Sequence, residues 1–224
     1  MRRRPTPRAV LFDMDGLMLD TEPIYRQAGL RAADELGFAL TDDIYFQLVG
    51  RTQVDSERLL LETFGLGFPL DEFRTRWPRY WHAHVREHGI AHKPGLLELI
   101  DEIRRSGLLA AVATSSDLGQ ARVTLAAGGL ADVFDIVVTG DQVPNGKPAP
   151  DIYLLAARRV GVEPSACVAL EDSDNGLMAA VDAGTTALMV PDMKPPSAPA
   201  ARAAYRVLDS LHDAREVIAE LLES

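Results

Sequence analysis

The sequence predicts a doubly wound parallel α/β sheet with a helical unit inserted after its first strand. Three observations carry this prediction. Short apolar runs occur without polar alternation, helical periodicity fills the gaps between the later runs, and a stretch of helix-like sequence without a strand follows the first one.

The first run is residues 9–13 (AVLFD), and its unbroken apolar character suits a strand covered on both faces. Residues 19–89 then break the pattern, with helices expected over 23–36, 42–49, 54–64 and 70–87. Thr41 is placed to cap the second of these, and Thr52 followed by Asp55 is a near capping box for the third. Pro78 should kink or interrupt the fourth, because it has no N–H to donate. After residue 90, runs at 109–114 (LAAVAT), 136–138 (IVV), 167–171 (CVALE) and 186–190 (TALMV) alternate with helical segments at 96–105, 118–127, 152–160 and 176–183. Such alternation means a parallel sheet with helices on both faces. A last helix near 211–222 is expected on a sheet edge, and the Pro/Ala-rich segment 191–203 reads as a surface loop. The chain therefore divides into a core, residues 8–18 and 90–224, and an inserted helical unit, residues 19–89.

The 224 residues carry a formal charge of −10, with 47% hydrophobic and 25% charged side chains. That composition is ordinary for a globular protein, and the acidic balance argues against nucleic acid or a membrane surface as a partner. The basic start MRRRPTPR resembles the head of a signal peptide, but Asp13, Asp15 and Asp20 break the apolar stretch that follows. The single cysteine, Cys167, has no partner for an internal disulfide and sits among apolar neighbours, as a small core residue in a reducing compartment would. A cytoplasmic location is expected. No long amphipathic seam stands out, so a monomer is the default.

Ligands of doubly wound sheets sit at the carboxyl ends of the strands. Here those ends carry Asp13-Met14-Asp15-Gly16, Thr114-Ser115-Ser116, Lys147 in Gly146-Lys147-Pro148, and Glu171-Asp172-Ser173. Four acids brought to one rim repel one another unless a cation joins them, and oxygen-only ligands favour Mg²⁺. With a lysine, a hydroxyl and backbone amides alongside, the set makes a receptor for a phosphoryl group that a carboxylate could attack.

Phe12-Asp13-Met14-Asp15-Gly16, with Thr114, Lys147 and Glu171-Asp172 in order, resembles the haloacid dehalogenase superfamily of phosphotransferases. The resemblance spans nearly the whole chain, including an insert similar to the family's C1 cap on its Rossmann-like core. FDMDGLMLDTE, ATSS, GKPAPDIY and LEDSDNG look like the branch of sugar-phosphate phosphatases, beta-phosphoglucomutase and pseudouridine-5'-phosphatase. It implies that Asp13 attacks phosphorus to form an aspartyl-phosphate, and that Asp15 protonates the leaving oxygen and later deprotonates water. It further implies that Mg²⁺ is held by Asp13, the Asp15 carbonyl and Asp172, with Glu171 contacting the ion directly or through a water. Thr114 and the Ser115 amide would hold phosphate oxygens, and Lys147 would offset the charge between nucleophile and substrate. The implied activity is a Mg²⁺-dependent phosphatase acting on a small phosphorylated metabolite, a sugar or nucleoside monophosphate. The cap would open and close on hinges near 17–20 and 87–92, with the site between cap and core.

Plainer readings compete. Thr114 suits a helix N-cap, Lys147 a loop lysine, and Glu171 a solvent-facing acid. In the insert, Arg51 could reach a substrate hydroxyl or second anion, or be an exposed loop residue. Trp77, Tyr80 and Trp81 suit an insert core better than a stacking surface. His82, His84, His88 and His92 suit packed or solvated positions better than a metal site. A sugar phosphomutase of the beta-phosphoglucomutase type is the alternative activity. It would be expected to show a lysine soon after Thr114-Ser115-Ser116, where this chain has Asp117, and a cap arginine near the position of Gln53. A dehalogenase needs neither Asp15 nor Mg²⁺, and a receiver domain has no helical insert.

Overall fold

The computed structural model describes residues 5–49 and 53–223. Among them six parallel strands form one sheet: β1 (Ala9–Phe12), β2 (Leu109–Ala113), β3 (Val137–Val138), β4 (Cys167–Glu171), β5 (Thr186–Met189) and β6 (Arg206–Val207). Their order is β3-β2-β1-β4-β5-β6. The helices are α1 (Glu22–Asp34), α2 (Asp42–Leu48), α3 (Gln53–Phe64), α4 (Leu70–His88), α5 (Leu96–Arg105), α6 (Leu118–Ala127), α7 (Asp151–Val160), α8 (Asp174–Asp182), α9 (Ala198–Ala203) and α10 (Leu211–Glu223). The contacts separate two units, one formed by the chain up to Asp20 together with the chain from Ile90 onward, the other by Thr21–Gly89. No helix among the described residues is long and apolar enough to cross a membrane.

In the first unit the chain runs outward from β1 through β2 to β3, then returns to the other side of β1 with β4. The reversal places the switch in strand order between β1 and β4, whose register pairs Ala9 with Cys167 and Phe12 with Leu170. Both strands are buried throughout, which explains their continuous apolar sequence. Residues alternate between the faces. Ala9 and Leu11 join Ala156 and Ala157 of α7 and Ala179 and Ala180 of α8 in one core, where small side chains let the helices approach the sheet closely. Phe12, one step out of phase, meets Phe134 edge-on at 5.5 Å between centroids. Cys167 is buried in the same core as Ala9.

The Thr21–Gly89 unit is helical. Its core holds Trp81, Phe73, Leu60 and Tyr45, each at most 3% exposed. Tyr25 stacks on Trp81 at 5.1 Å, and Trp77 Nε1 donates to the Tyr25 carbonyl at 2.8 Å. Tyr80 and Trp81 are buried and Trp77 is half-buried, so the aromatic residues serve packing.

Several expectations need correction. Pro78 does not interrupt α4, which runs unbroken through it. The proline is exposed, and the Arg74 carbonyl it leaves without a helical donor belongs to an exposed residue, where water can serve. Thr41 occupies the N-cap of α2 in extended conformation, but its hydroxyl makes no capping bond. The segment 191–203 is not all loop. Ser197 accepts from the Ala200 amide and starts α9, with proline in the first turn as a helix start allows. The chain then adds β6 beside β5, a two-residue exposed strand that offers no apolar run to read. The last helix, α10, lies against α5, where Gly95 leaves room for the backbone at His212. Thr52 and Arg51, and the side chain of Gln53, lie outside the described residues.

Candidate active site

The carboxyl ends of β1 and β4 are adjacent because the strands pair in register, and the Asp13 amide donates to the Leu170 carbonyl at 3.0 Å. Asp13 is therefore delivered beside Glu171 and Asp172. One carboxylate oxygen from each of the three lies within 4.8 Å of the others.

Lys147 enters this group from the turn before α7. Its ammonium stands 2.5 Å from Asp13 Oδ1 and 2.5 Å from Glu171 Oε1, and donates to the Ala113 carbonyl at 3.0 Å. The lysine side chain is 6% exposed, which sets it apart from a solvated loop lysine. Burial alone would lower its pKa, but Asp13 and Glu171 outweigh burial and hold the ammonium above its ordinary value. Burial pushes Asp13 up to about 8, with Glu171 and Asp15 adding to the rise and Lys147 opposing it. Asp172 is likewise raised well above the usual carboxylate range, by burial and then by Asp13 and Glu171.

Glu171 is fully buried, not solvent-facing. Its Oε1 accepts from Lys147 and from the Tyr153 hydroxyl at 2.6 Å, and its Oε2 accepts from the Ser173 hydroxyl at 3.1 Å. The carboxylate packs on Gly176 of α8, where a Cβ would stand 1.9 Å from Oε1. Only glycine fits there.

Asp15 is tied to the second strand end, where Ser116 Oγ donates to its Oδ2 at 3.1 Å. Gly16 turns the chain at φ +82°, a left-handed conformation that glycine adopts without strain. Thr114 is 1% exposed, and its Oγ1 accepts from the Ser116 amide at 3.1 Å. It does not cap α6: Asp117 does, accepting from the Gln120 amide at 2.9 Å. Ser115 next to it is exposed.

An all-oxygen donor set of this kind fits a hard divalent cation. The Lys147 ammonium does not balance the carboxylates of Asp13, Asp15, Glu171 and Asp172, and a cation among them would reverse the rise at Asp13 and Asp172. Arg51 lies outside the described residues. The histidines do not gather: His84 and His88 face each other at 4.7 Å on α4, whereas His92 Nε2 hydrogen-bonds with the Gly128 carbonyl at 2.6 Å. Reading the sequence alone leaves Ser116, Tyr153, Ser173 and Gly176 without roles. Tyr153 sits in GKPAPDIY and Gly176 in LEDSDNG, so their position within motifs was the available signal.

A haloacid dehalogenase-like hydrolase family model matches residues 7–184. A phosphorylated carbohydrates phosphatase of Thermotoga maritima is 36% identical over 79% of this chain and 81% of its own length. Hexitol phosphatase B of Escherichia coli is 31% identical over 83% of this chain and 86% of its own length. The crystal structure of a protein described as a putative beta-phosphoglucomutase, also from Thermotoga maritima, superposes with a TM-score of 0.81 at 31% identity, covering 95% of this chain and 99% of the other. With its six-stranded parallel sheet, its inserted helices and these matches, the chain belongs to the haloacid dehalogenase-like hydrolase family.

Proposed function

We propose that this hydrolase is a Mg²⁺-dependent phosphatase that cleaves a small phosphorylated metabolite, a sugar or sugar-alcohol phosphate in particular, through an aspartyl-phosphate on Asp13. The observation that carries this reading is the position of Lys147, whose buried ammonium touches Asp13 and Glu171 together. An anionic nucleophile attacking an anionic phosphate needs such a charge at the point of approach. The names of the phosphatase relatives support the carbohydrate class.

In the first step an oxygen of Asp13 forms a bond to phosphorus while the bond to the leaving oxygen breaks, and Asp15 gives that oxygen its proton. In the second, Asp15 takes a proton from the attacking water, the bond from phosphorus to Asp13 breaks, and phosphate leaves. Ser116 holds Asp15 for both transfers. Thr114 and the Ser115 amide bind non-bridging oxygens. Asp13, Asp172 and the Asp15 carbonyl would hold the Mg²⁺, which supplies positive charge to the phosphoryl oxygens. Glu171 acts through Lys147, since its oxygens already accept from Lys147, Tyr153 and Ser173. We assign Arg51 a contact to the substrate.

Hydrolysis is favoured over the phosphomutase because Asp117, where a second phosphate would want a cation, is an acid engaged in capping α6. The test is phosphate release from a panel of sugar, sugar-alcohol and nucleoside phosphates, each with Mg²⁺ and with EDTA. Release from one narrow group, abolished by EDTA, is expected. Mg²⁺-dependent consumption of a sugar 1-phosphate without free phosphate would establish the mutase instead.

A further inference from the structure

Asp192 follows β5 and has no part in the steps above. Lys93 donates to its Oδ1 at 2.6 Å and, more weakly, to Asp20 Oδ1 at 3.4 Å. The Asp192 side chain is 10% exposed, and among the described residues its Oδ2 is buried with no hydrogen-bond partner. Such an oxygen is costly to leave buried unless a donor reaches it.

The direction of that oxygen is informative. A Cβ built on Gly16 would stand 2.5 Å from Asp172 Oδ2 and 3.2 Å from Asp192 Oδ2. Both carboxylate oxygens therefore border one small space above the Gly16 backbone, beside the residues assigned to the cation. Asp192 is also among the charges acting on Asp172. Lys93 neutralises the far oxygen of Asp192 and leaves the near one facing another acid. Two such oxygens are compatible when a positively charged donor lies between them, and the hydration shell of a divalent cation is one.

We propose that Asp192 Oδ2 accepts a hydrogen bond from a water in the hydration shell of the cation held by Asp13 and Asp172, with Lys93 fixing the orientation of the carboxylate. Asp192 is then a positioning residue: it touches neither substrate nor phosphorus, and it raises the affinity for the ion. This rests on the cation site of the proposed function.

The test is Mn²⁺ binding to the metal-free protein, read by electron paramagnetic resonance of the free ion. Asp192→Asn keeps the shape and weakens acceptance, and should raise the Kd for Mn²⁺ by about 10-fold or more. Lys93→Met, which frees the carboxylate to turn, should weaken binding in the same direction by about threefold, and it decides the matter if Asp192→Asn does not fold. Equal Mn²⁺ affinity in wild type and the folded variants would overturn the proposal and reduce Asp192 to an ion-pair partner of Lys93. Folded wild type that binds no Mn²⁺ would overturn the cation site itself, a result separate from the first.

Discussion

The Tyr153 hydroxyl donates to Glu171 Oε1 at 2.6 Å, the same oxygen that receives the Lys147 ammonium at 2.5 Å. Tyr153 is fully buried, so this hydrogen bond forms away from water and fixes where the shared carboxylate points. Burial and the neighbouring Glu171 raise the tyrosine well above its ordinary pKa, so it remains a donor at working pH.

Tyr153→Phe keeps the ring and removes the donor. We expect a loss of about 1–3 kcal/mol in stability, as for a hydrogen bond to a charged group, measured by urea unfolding. Turnover should fall roughly 10-fold as Lys147 drifts toward the less restrained Glu171. Unchanged stability and turnover would show that the contact does not position Lys147.

Gly176→Ala sets two effects against each other. Alanine favours a helix by about 1 kcal/mol, but its Cβ would stand 1.9 Å from Glu171 Oε1. Displacing a buried, fully engaged carboxylate costs more, so we expect net destabilisation of about 1–3 kcal/mol and loss of activity. Thermal unfolding and phosphate release check both.

Cys167 should resist labelling in the folded protein. Burial, then the nearby Glu163, pushes its thiol up to about 11, and a protonated thiol is a poor nucleophile. At pH 8 reaction with a disulfide reagent should be on the order of 100-fold slower in native protein than in urea-unfolded protein. Similar rates would place the thiol outside the core that Ala9 and Leu11 share with it.

The sheet was legible because β1 and β4 are buried on both faces, which leaves unbroken apolar runs too short for a helix. The acids at their ends were legible for the same reason, since a strand end in this architecture is a place and not merely a position. What the sequence hid depends on meetings between distant residues. Nothing local to Tyr153 says that it reaches Glu171, and nothing near Asp192 says that its oxygen turns toward Asp172. The β6 strand is two exposed residues, too short to carry a pattern, and the proline content before it disguised the start of α9. Pro78 misled in the other direction, because its helix presents it to solvent, where a missing hydrogen bond is inexpensive.

Trapping the enzyme during turnover tests Asp13 as the nucleophile. Wild-type protein is mixed with a labelled sugar phosphate and Mg²⁺, quenched in acid within milliseconds, and digested for peptide mapping. Phosphate is expected on the peptide containing Asp13, and Asp13→Asn should lose it together with turnover, which falls by about three orders of magnitude or more while the fold is kept. Label on another residue, or near-wild-type turnover in folded Asp13→Asn, would contradict that assignment.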